Sequence, residues 1–499
     1  MTKASYGSWK SPISTDLIVA GSIGLSSPHE LQNGLCWIES RPQEGGRSVL
    51  VKRDQAGNVH DITPAPFNIR TRVHEYGGGA SLIHGESIYF SNFSDQQLYR
   101  QGLEDAAPTQ LTRAEGFRFA NGCVDAGRNR IIYVVEDHNV SGEPQNQLSA
   151  VDMETGALTI LAKGHDFYSS PVISPDGSRM AFMTWDHPNM PWDESTIWAT
   201  GLDEAGMPRE MVPVAGGKQG EQKISVQQPQ FSPTGELFYI SDEGGSWNLY
   251  REQSSQGVCP RQAEFGGPHW VFGMHHYEFL DSGKIICCYS EKNLDRLALL
   301  DLDSGNLEDL DLPYTSIGNL SLSDNRLLTV ASSPKLFPEI IEIALSTKTI
   351  RTIQTSTDLE LEESYFSVPE TIAFPTAGNA VSHGFYYPPT NKDFQGLDGE
   401  APPLIVMLHG GPTSATHAVL SFKTQYWTTR GFGVLDLNYR GSTGYGRAYR
   451  DELIYQWGII DVEDAVAGAE YLVHQQKADP LRLAIRGGSA GGYTTLAAL

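Results

Sequence analysis

Cysteine is scarce in this chain, with five residues among 499, and its number is odd. Two of the five, Cys287 and Cys288, are adjacent within an apolar segment. Disulfide frameworks need cysteines that can pair, and they persist in oxidising compartments. The cysteine pattern therefore predicts reduced, buried thiols and a cytoplasmic protein.

The sequence also shows no segment of the kind that targets a protein or inserts it into a membrane. The N-terminus, Met1 to Ser5, has no apolar stretch of the signal-peptide type. No apolar run approaches the roughly 18 residues that a membrane-spanning helix requires. We therefore expect neither a signal peptide nor a membrane partner.

Basic residues are few: 36 Lys and Arg stand against 60 Asp and Glu, a formal net charge of −24. This excess of negative charge disfavours nucleic acid as a partner. Neither a cofactor nor a metal is predicted. The glycine-rich segment around Arg440 lacks the Gly-Lys-Ser/Thr of a phosphate loop, and His275 and His276 have no nearby ligands at metal spacing. The sequence gives no indication of the oligomeric state.

The sequence Gly487-Gly488-Ser489-Ala490-Gly491 fits Gly-x-Ser-x-Gly, the nucleophile elbow of α/β-hydrolases. The motif alone is weak, but an apolar strand-like segment (residues 481–485) precedes it and helix-compatible residues follow. Small neighbours allow a sharp turn that presents the serine hydroxyl. The motif predicts Ser489 as a nucleophile and the backbone N–H of Ala490 as an oxyanion donor.

A second glycine loop lies upstream. The apolar run Leu404 to Leu408 reads as a buried parallel strand and is followed by His409-Gly410-Gly411-Pro412. Glycine allows backbone N–H groups to approach a substrate oxygen, so Gly411 is the predicted second oxyanion donor. His409 precedes the serine in the chain, so we expect it to order the loop rather than act as base. Residues 433–438 read as the next parallel strand, which would bring the loops to one sheet edge.

Residues 461–476 have the apolar spacing of an amphipathic helix. Asp461 is the predicted N-cap of this helix, and Asp464 suits the positive end of its dipole. We therefore interpret both as capping residues rather than as catalytic acids.

In order and spacing, four motifs resemble those of the prolyl oligopeptidase family of serine peptidases. They are His409-Gly410-Gly411-Pro412, Asn438 to Gly446, Trp457-Gly458 and Gly487 to Tyr493. The first looks closest to the acylaminoacyl-peptidase and dipeptidyl-aminopeptidase-like branch. The resemblance implies a seven-bladed β-propeller that restricts an α/β-hydrolase site to short peptides. It also places the triad Asp and His beyond Leu499, which implies a C-terminally incomplete, inactive chain. Some prolyl oligopeptidases have a tyrosine where His409 stands, which argues against strict cleavage after proline.

The residues themselves also indicate a propeller. Apolar, β-rich segments begin at residues 34, 87, 130, 179, 236, 284 and 326, close to the roughly 40–50 residues of a propeller blade. An array of β-sandwiches is the alternative. The predicted fold is a β-propeller of about seven blades (29–355) followed by a partial α/β-hydrolase domain (366–499). An N-terminal segment (1–28) is expected to pack on the hydrolase domain.

The predicted function is that of a serine-type peptidase that cleaves short peptides through an acyl-enzyme on Ser489. A dipeptidyl peptidase would also need a carboxylate for the free α-amine of its substrate, and Glu75, in a polar and aromatic loop, is the candidate. Two alternatives remain: an esterase or amidase of the same fold, and a catalytically dead propeller that binds a partner.

Overall fold

The N-terminal segment lies against the C-terminal domain. The computed structural model describes residues 1–19, 22–105, 107–359 and 361–499. The segment contains β1 (Thr2–Lys3) and α1 (Thr15–Val19), and β1 pairs in parallel with Phe394–Gln395. The ring of Trp9 is buried and packs so closely on Gly431 that a Cβ there would lie 3.1 Å from it.

Residues 24–355 form seven antiparallel sheets, blades 1 to 7, in which consecutive strands are neighbours. The strands of blades 1 to 3 are β2 (Gly24–Leu31), β3 (Gly34–Arg41), β4 (Arg47–Asp54), β5 (Val59–Asp61); β6 (Ser81–His84), β7 (Ser87–Ser91), β8 (Leu98–Gly102), β9 (Thr109–Gln110); β10 (Phe117–Asp125), β11 (Arg130–Asp137), β12 (Gln145–Asp152) and β13 (Leu158–Lys163). Those of blades 4 and 5 are β14 (Phe167–Ile173), β15 (Arg179–Trp185), β16 (Thr196–Leu202), β17 (Pro208–Gln219), β18 (Gln222–Ile224); β19 (Val226–Phe231), β20 (Leu237–Ser241) and β21 (Asn248–Arg251). Blades 6 and 7 contain β22 (Tyr277–Phe279), β23 (Lys284–Glu291), β24 (Leu294–Asp301), β25 (Leu307–Asp309); β26 (Ser316–Ser323), β27 (Arg326–Ser333), β28 (Leu336–Ala344) and β29 (Thr349–Thr355).

Each of the seven recurring apolar segments of the sequence lies in the second strand of a blade: β3, β7, β11, β15, β20, β23 and β27. These strands have partners on both sides and are covered on both faces, as in β7, where every residue is buried. Strands buried in this way need near-continuous apolar runs. The predicted propeller of about seven blades is confirmed, and the sandwich alternative is wrong.

Apolar packing between neighbouring blades closes the ring. An apolar cluster joins each adjacent pair of blades, and one of them joins blade 1 to blade 7. In that cluster Trp37 and Val49 of blade 1, both fully buried, meet Leu328 and Ile340 of blade 7. The described strands of blade 7 all come from residues 316–355, so side-chain packing joins the two ends of the propeller.

The propeller begins earlier than the sequence predicted. Strand β2 starts at Gly24, so residues 24–28, predicted to belong to the N-terminal segment, form part of blade 1. This strand is mostly polar and half-exposed, and its register shifts between Ser26 and His29. It therefore lacks the alternation that identifies a strand in a sequence.

The C-terminal domain is a five-stranded sheet with helices, in the strand order β30-β31-β34-β33-β35. Strands β34, β33 and β35 are parallel, and β31 pairs antiparallel with β30 and β34. The elements are β30 (Glu370–Pro375), β31 (Val381–Tyr387), β32 (Phe394–Gln395), β33 (Leu404–Leu408), α2 (Phe422–Thr428), β34 (Gly433–Asn438), α3 (Arg447–Asp451), α4 (Ile460–His474), β35 (Leu483–Gly487) and α5 (Ala490–Ala497). This is the predicted partial α/β-hydrolase domain, and β33 and β34 have their predicted bounds. None of the helices in the described ranges has the length and apolar character to cross a membrane.

A buried charge cluster joins the propeller to the hydrolase domain. Asp242 follows β20 and is 1% exposed, and Arg447 and Arg450 of α3 donate to its Oδ2 at 2.7 and 2.6 Å. The guanidinium of Arg450 also lies 4.4 Å from the ring centre of Trp247. Asp451 also pairs with Arg447, at 3.1 Å, but its side chain is partly exposed. Asp242 is therefore the buried carboxylate that compensates the charge of the two arginines.

Glu264 makes a second polar contact across the same interface. Its carboxylate accepts hydrogen bonds from the N–H of Trp247 in the propeller, at 2.7 Å, and of Gly446 in the hydrolase domain, at 2.9 Å. Burial raises the pKa of Glu264 to about 7. The carboxyl group therefore bridges backbone segments of the two domains where water is largely excluded.

Replacement of Asp242 by alanine should destabilise the protein, because it leaves the buried Arg450 with only the partly exposed Asp451, 3.8 Å away, as an anionic partner. Loss of one member of a buried ion pair costs about 3–5 kcal/mol. Glu363→Ala is the control, since it removes only an exposed pair with Lys335, worth about 1 kcal/mol or less. Urea unfolding followed by tryptophan fluorescence measures both, and equal midpoints for the two variants would contradict the structural role of Asp242.

Candidate active site

Ser489 occupies a sharp turn between β35 and α5. Its backbone has φ 53° and ψ −122°, a conformation that residues with side chains rarely adopt and that structures retain at functional sites. The residue is exposed, and its carbonyl oxygen accepts hydrogen bonds from the N–H of Gly492 and Tyr493 at 3.0 and 3.2 Å. The strand, tight turn and helix are the context that the Gly-x-Ser-x-Gly motif requires.

Two glycines make this turn possible. A Cβ at Gly487 would lie 2.2 Å from the carbonyl oxygen of Gly491, and a Cβ at Gly491 would lie 2.4 Å from that of Leu408. Both distances are far shorter than a van der Waals contact, and the atoms approached belong to the backbone. The absence of side chains at these positions therefore lets α5 start directly against the end of β33.

The glycine loop after β33 lies against Ser489. Leu408 pairs with Gly487 in the parallel ladder, so both strands end at the same level of the sheet. A Cβ at Gly410 would lie 3.2 Å from the Cβ of Ser489 and 3.7 Å from its hydroxyl. The two predicted loops are thus brought together. Gly411 was the functional glycine predicted from the sequence, and the close approach of Gly410 to the serine was not predicted.

The two predicted oxyanion donors are backbone groups near the serine. Ala490 is the first residue of α5 and is 4% exposed, and an N–H at that position has no partner within the helix. Gly411 has φ +129°, and across the described ranges no acceptor binds its N–H. Both groups can therefore donate to a substrate oxygen without breaking a bond of the protein.

His409 orders the glycine loop. Its Nδ1 lies 2.8 Å from the carbonyl oxygen of Gly410, and its Nε2 lies 2.8 Å from the hydroxyl of Ser442. The bond to the carbonyl requires an N–H at Nδ1, so Nε2 accepts from the serine. The ring stacks on Tyr439 with centroids 4.4 Å apart, and burial lowers the pKa of His409 to about 4. Among the described residues, no histidine hydrogen-bonds to the Ser489 hydroxyl.

The loop after β34 connects the site to the propeller. The N–H of Thr443 donates to the carbonyl of Ser414 at 2.9 Å, and its own carbonyl accepts from the Asn293 side chain of blade 6 at 3.0 Å. A Cβ at Gly444 would lie 2.2 Å from Asn293 Oδ1. Three loops at the carboxyl ends of parallel strands therefore meet at one edge, as expected for this sheet type.

Asp461 is not the N-cap that the sequence predicted. Helix α4 starts at Ile460, and no side chain caps it. The fully buried Asp461 accepts from the N–H of Gly458 at 2.7 Å and from the hydroxyl of Thr494 in α5. It therefore ties α4 to the helix that follows Ser489.

Asp464 is also not a capping residue. It is fully buried and accepts from the backbone N–H of Arg440 at 2.7 Å and from its guanidinium. Long-range partners thus satisfy both carboxylates, which leaves neither free for acid–base chemistry.

Glu75 lies in the loop between blades 1 and 2, is largely exposed and has φ 62°. Its carboxylate accepts from Arg118 at 3.0 Å, so its hydrogen bond is to the propeller and not to the hydrolase domain. In the same loop, the carbonyl of Gly77 accepts a hydrogen bond from the N–H of Phe272. In the described segments, no three His, Cys, Asp or Glu side chains group as a metal site.

Comparison with known proteins relates these features to a family. A sequence profile of the prolyl oligopeptidase family matches residues 418–499. An acylamino-acid-releasing enzyme of Arabidopsis thaliana is 38% identical over 98 residues, 20% of this chain and 13% of that protein. Dipeptidyl aminopeptidase BIII of Pseudoxanthomonas mexicana is 34% identical over 105 residues, 20% of this chain and 15% of that protein. These alignments span only a small part of each relative.

Solved structures of puromycin-hydrolysing enzymes resemble the whole chain. A puromycin-hydrolyzing peptidase of Mycobacterium tuberculosis is 34% identical and superposes with a TM-score of 0.94, over all of this chain and 78% of that one. The similarity thus includes the propeller as well as the hydrolase domain, and it agrees with the family and branch that the motifs indicated. The chain belongs to the prolyl oligopeptidase family of serine peptidases.

Proposed function

We propose that the protein hydrolyses short peptides through an acyl-enzyme on Ser489. The Oγ of Ser489 bonds to the peptide carbonyl carbon, and the C–N bond then breaks as the amine leaves with a proton. Water subsequently hydrolyses the ester and restores the hydroxyl. The observation that carries this proposal is the exposed Ser489 at positive φ, held against the glycine loop.

Gly411 and Ala490 are the proposed oxyanion donors. Their N–H groups lie in the two loops that meet at Ser489, and both are free to bind the oxygen that becomes negatively charged during attack. Preorganised donors of this kind contribute about 100- to 1000-fold to the rate. His409 supports the oxyanion donors indirectly. Its ring, which is neutral at physiological pH, donates a hydrogen bond to the carbonyl of Gly410 and so fixes the glycine loop.

The propeller is the proposed gate. Asp242 and Glu264 bind α3 and the residue before it, and Asn293 binds the loop after β34. These contacts support a route in which the substrate passes between closely packed domains. Such a site would admit short peptides and exclude folded proteins. According to their names, the relatives release acylamino acids, remove dipeptidyl units from amino ends or hydrolyse puromycin, and we propose substrates of these classes. The reduced cysteines support a cytoplasmic location.

Ser489→Ala should lower kcat for peptide cleavage at least a thousandfold, because the nucleophile is lost. Ser364→Ala, which changes an exposed serine in the chain segment before β30, should have no effect. The measurement compares the complete gene product on an acylamino-acid anilide, a free-amino dipeptide anilide and a short-chain ester. Peptide cleavage that persists in Ser489→Ala would contradict the nucleophile, and cleavage of esters alone would identify an esterase.

We also propose that Glu75 binds the free α-amine of dipeptidyl-peptidase substrates, since it is an exposed carboxylate beside Tyr76. The ring of Tyr76 packs on Trp270, and Trp270 hydrogen-bonds to the hydrolase domain at Thr413. Glu75→Gln should then lower kcat/KM for free-amino peptides by about tenfold or more, the value of a charge-assisted hydrogen bond. Cleavage of the same peptides after N-acetylation should not change. Glu143→Gln, at an exposed loop of blade 3, is the control. An equal loss for both substrate classes would contradict amine binding.

A further inference from the structure

A small pocket lined by aromatic rings opens on the propeller face that contacts the hydrolase domain. Four separate segments of the propeller build it: the loop of Glu75, the start of β14, the end of β15 with its following connection, and residues 269–272. The rings that define this aromatic pocket are those of Tyr76, Phe167, Trp185, Trp192, Trp270 and Phe272.

The rings are arranged as a rigid wall with an exposed rim. Trp192 and Trp270 have centroids 4.4 Å apart, and Tyr76 stands edge-on to Trp270 at 5.2 Å. Trp185, Trp192 and Phe272 are at most 7% exposed. The rim is different, because Tyr76 is 66% exposed, and Met190 and Val271 are 41% and 39% exposed. Clustered exposed apolar side chains of this kind mark binding sites.

Charge is absent from the lining of the pocket. No acidic or basic side chain contributes to it apart from two histidines, His74 and His269. Burial lowers the pKa of His74 to about 3 and that of His269 to about 4, so both rings are neutral near pH 7. A charged group would lose its hydration in this pocket without gaining a counter-ion, and the pocket therefore favours an uncharged occupant.

The volume of the pocket, about 160 Å³, limits the size of that occupant. Pockets for drug-sized ligands measure roughly 300–1,000 Å³, whereas an engineered apolar cavity of about 150 Å³ binds benzene. The aromatic pocket thus has room for one ring.

A direct hydrogen bond fixes the pocket to the proposed catalytic site. The indole N–H of Trp270 donates to the carbonyl oxygen of Thr413 at 2.7 Å. Thr413 belongs to the glycine loop, and a Cβ at Gly411 would lie 2.9 Å from its N–H. A peptide bound at Ser489 and Gly411 would therefore lie next to the pocket wall.

We propose that the aromatic pocket binds one uncharged aromatic side chain of the peptide substrate and so sets a preference for aromatic residues. This inference rests on the proposed peptidase function. Offset and edge-to-face ring contacts add about 0.5–1.5 kcal/mol per pair to the burial of apolar area. Phenylalanine should accordingly be favoured over alanine at one position of the substrate, and lysine should be disfavoured there.

The test measures kcat/KM of the complete gene product on peptide series in which Phe, Ala or Lys occupies each position in turn. Wild type should prefer Phe over Ala by about tenfold or more at one position, as hydrophobic pockets do. Tyr76→Ala, at the rim, and Trp192→Leu, in the wall, should each reduce this ratio at least threefold. Trp198→Ala is the control, because it changes a partly buried tryptophan of blade 4 outside the pocket and should leave the ratio unchanged.

A binding measurement separates failure of this inference from failure of the proposed function. Calorimetric titration of Ser489→Ala with the best Phe peptide and its Ala analogue should show the same preference without turnover, and Tyr76→Ala in that background should reduce it at least threefold. A wild type that cleaves peptides but has no aromatic preference, or a preference that survives both pocket variants, would overturn the inference. A wild type that cleaves no peptide but binds Phe peptides preferentially would overturn only the proposed function.

Discussion

The geometry of the site depends on the close approach of two backbone segments, Leu408 to Gly410 and Gly487 to Gly491. At Gly487 and Gly491 a Cβ would lie 2.2 and 2.4 Å from carbonyl oxygens, and at Gly410 it would crowd Ser489. Only glycine allows this contact without displacing the backbone. The parallel register pairs Leu408 with Gly487, and this pairing sets the position along the strands at which the two segments meet. The exposed hydroxyl and the adjacent N–H groups follow from this arrangement.

The propeller contributes to the same region through contacts of two different kinds. Polar contacts at Asp242 and Glu264 hold the hydrolase domain, and they involve groups whose burial makes an alternative partner costly. Aromatic contacts around Trp270 reach the glycine loop itself. The first kind determines how the domains sit, and the second places an apolar surface beside the glycine loop. In the proposed function, the propeller is therefore part of the site as well as a cover for it.

Burial explains how much of this was predictable from sequence. The second strands of the blades, and also β33 and β34, are covered on both faces and appear as continuous apolar runs, so their positions were predicted well. The polar, irregular β2 has no such pattern, and the start of the propeller was misplaced. Asp461 and Asp464 were interpreted locally, whereas their partners Thr494 and Arg440 lie far away in sequence. The aromatic pocket needs four segments of the propeller, and no single motif encodes it.

The proposed function depends first on Ser489 as the nucleophile of a peptidase site. Treatment of the complete gene product with a fluorophosphonate, followed by peptide mass spectrometry, locates the residue that reacts. We expect one phosphonate on Ser489, with loss of peptide cleavage in proportion to labelling. An enzyme that cleaves peptides and loses that activity to the probe while Ser489 stays unmodified would contradict it.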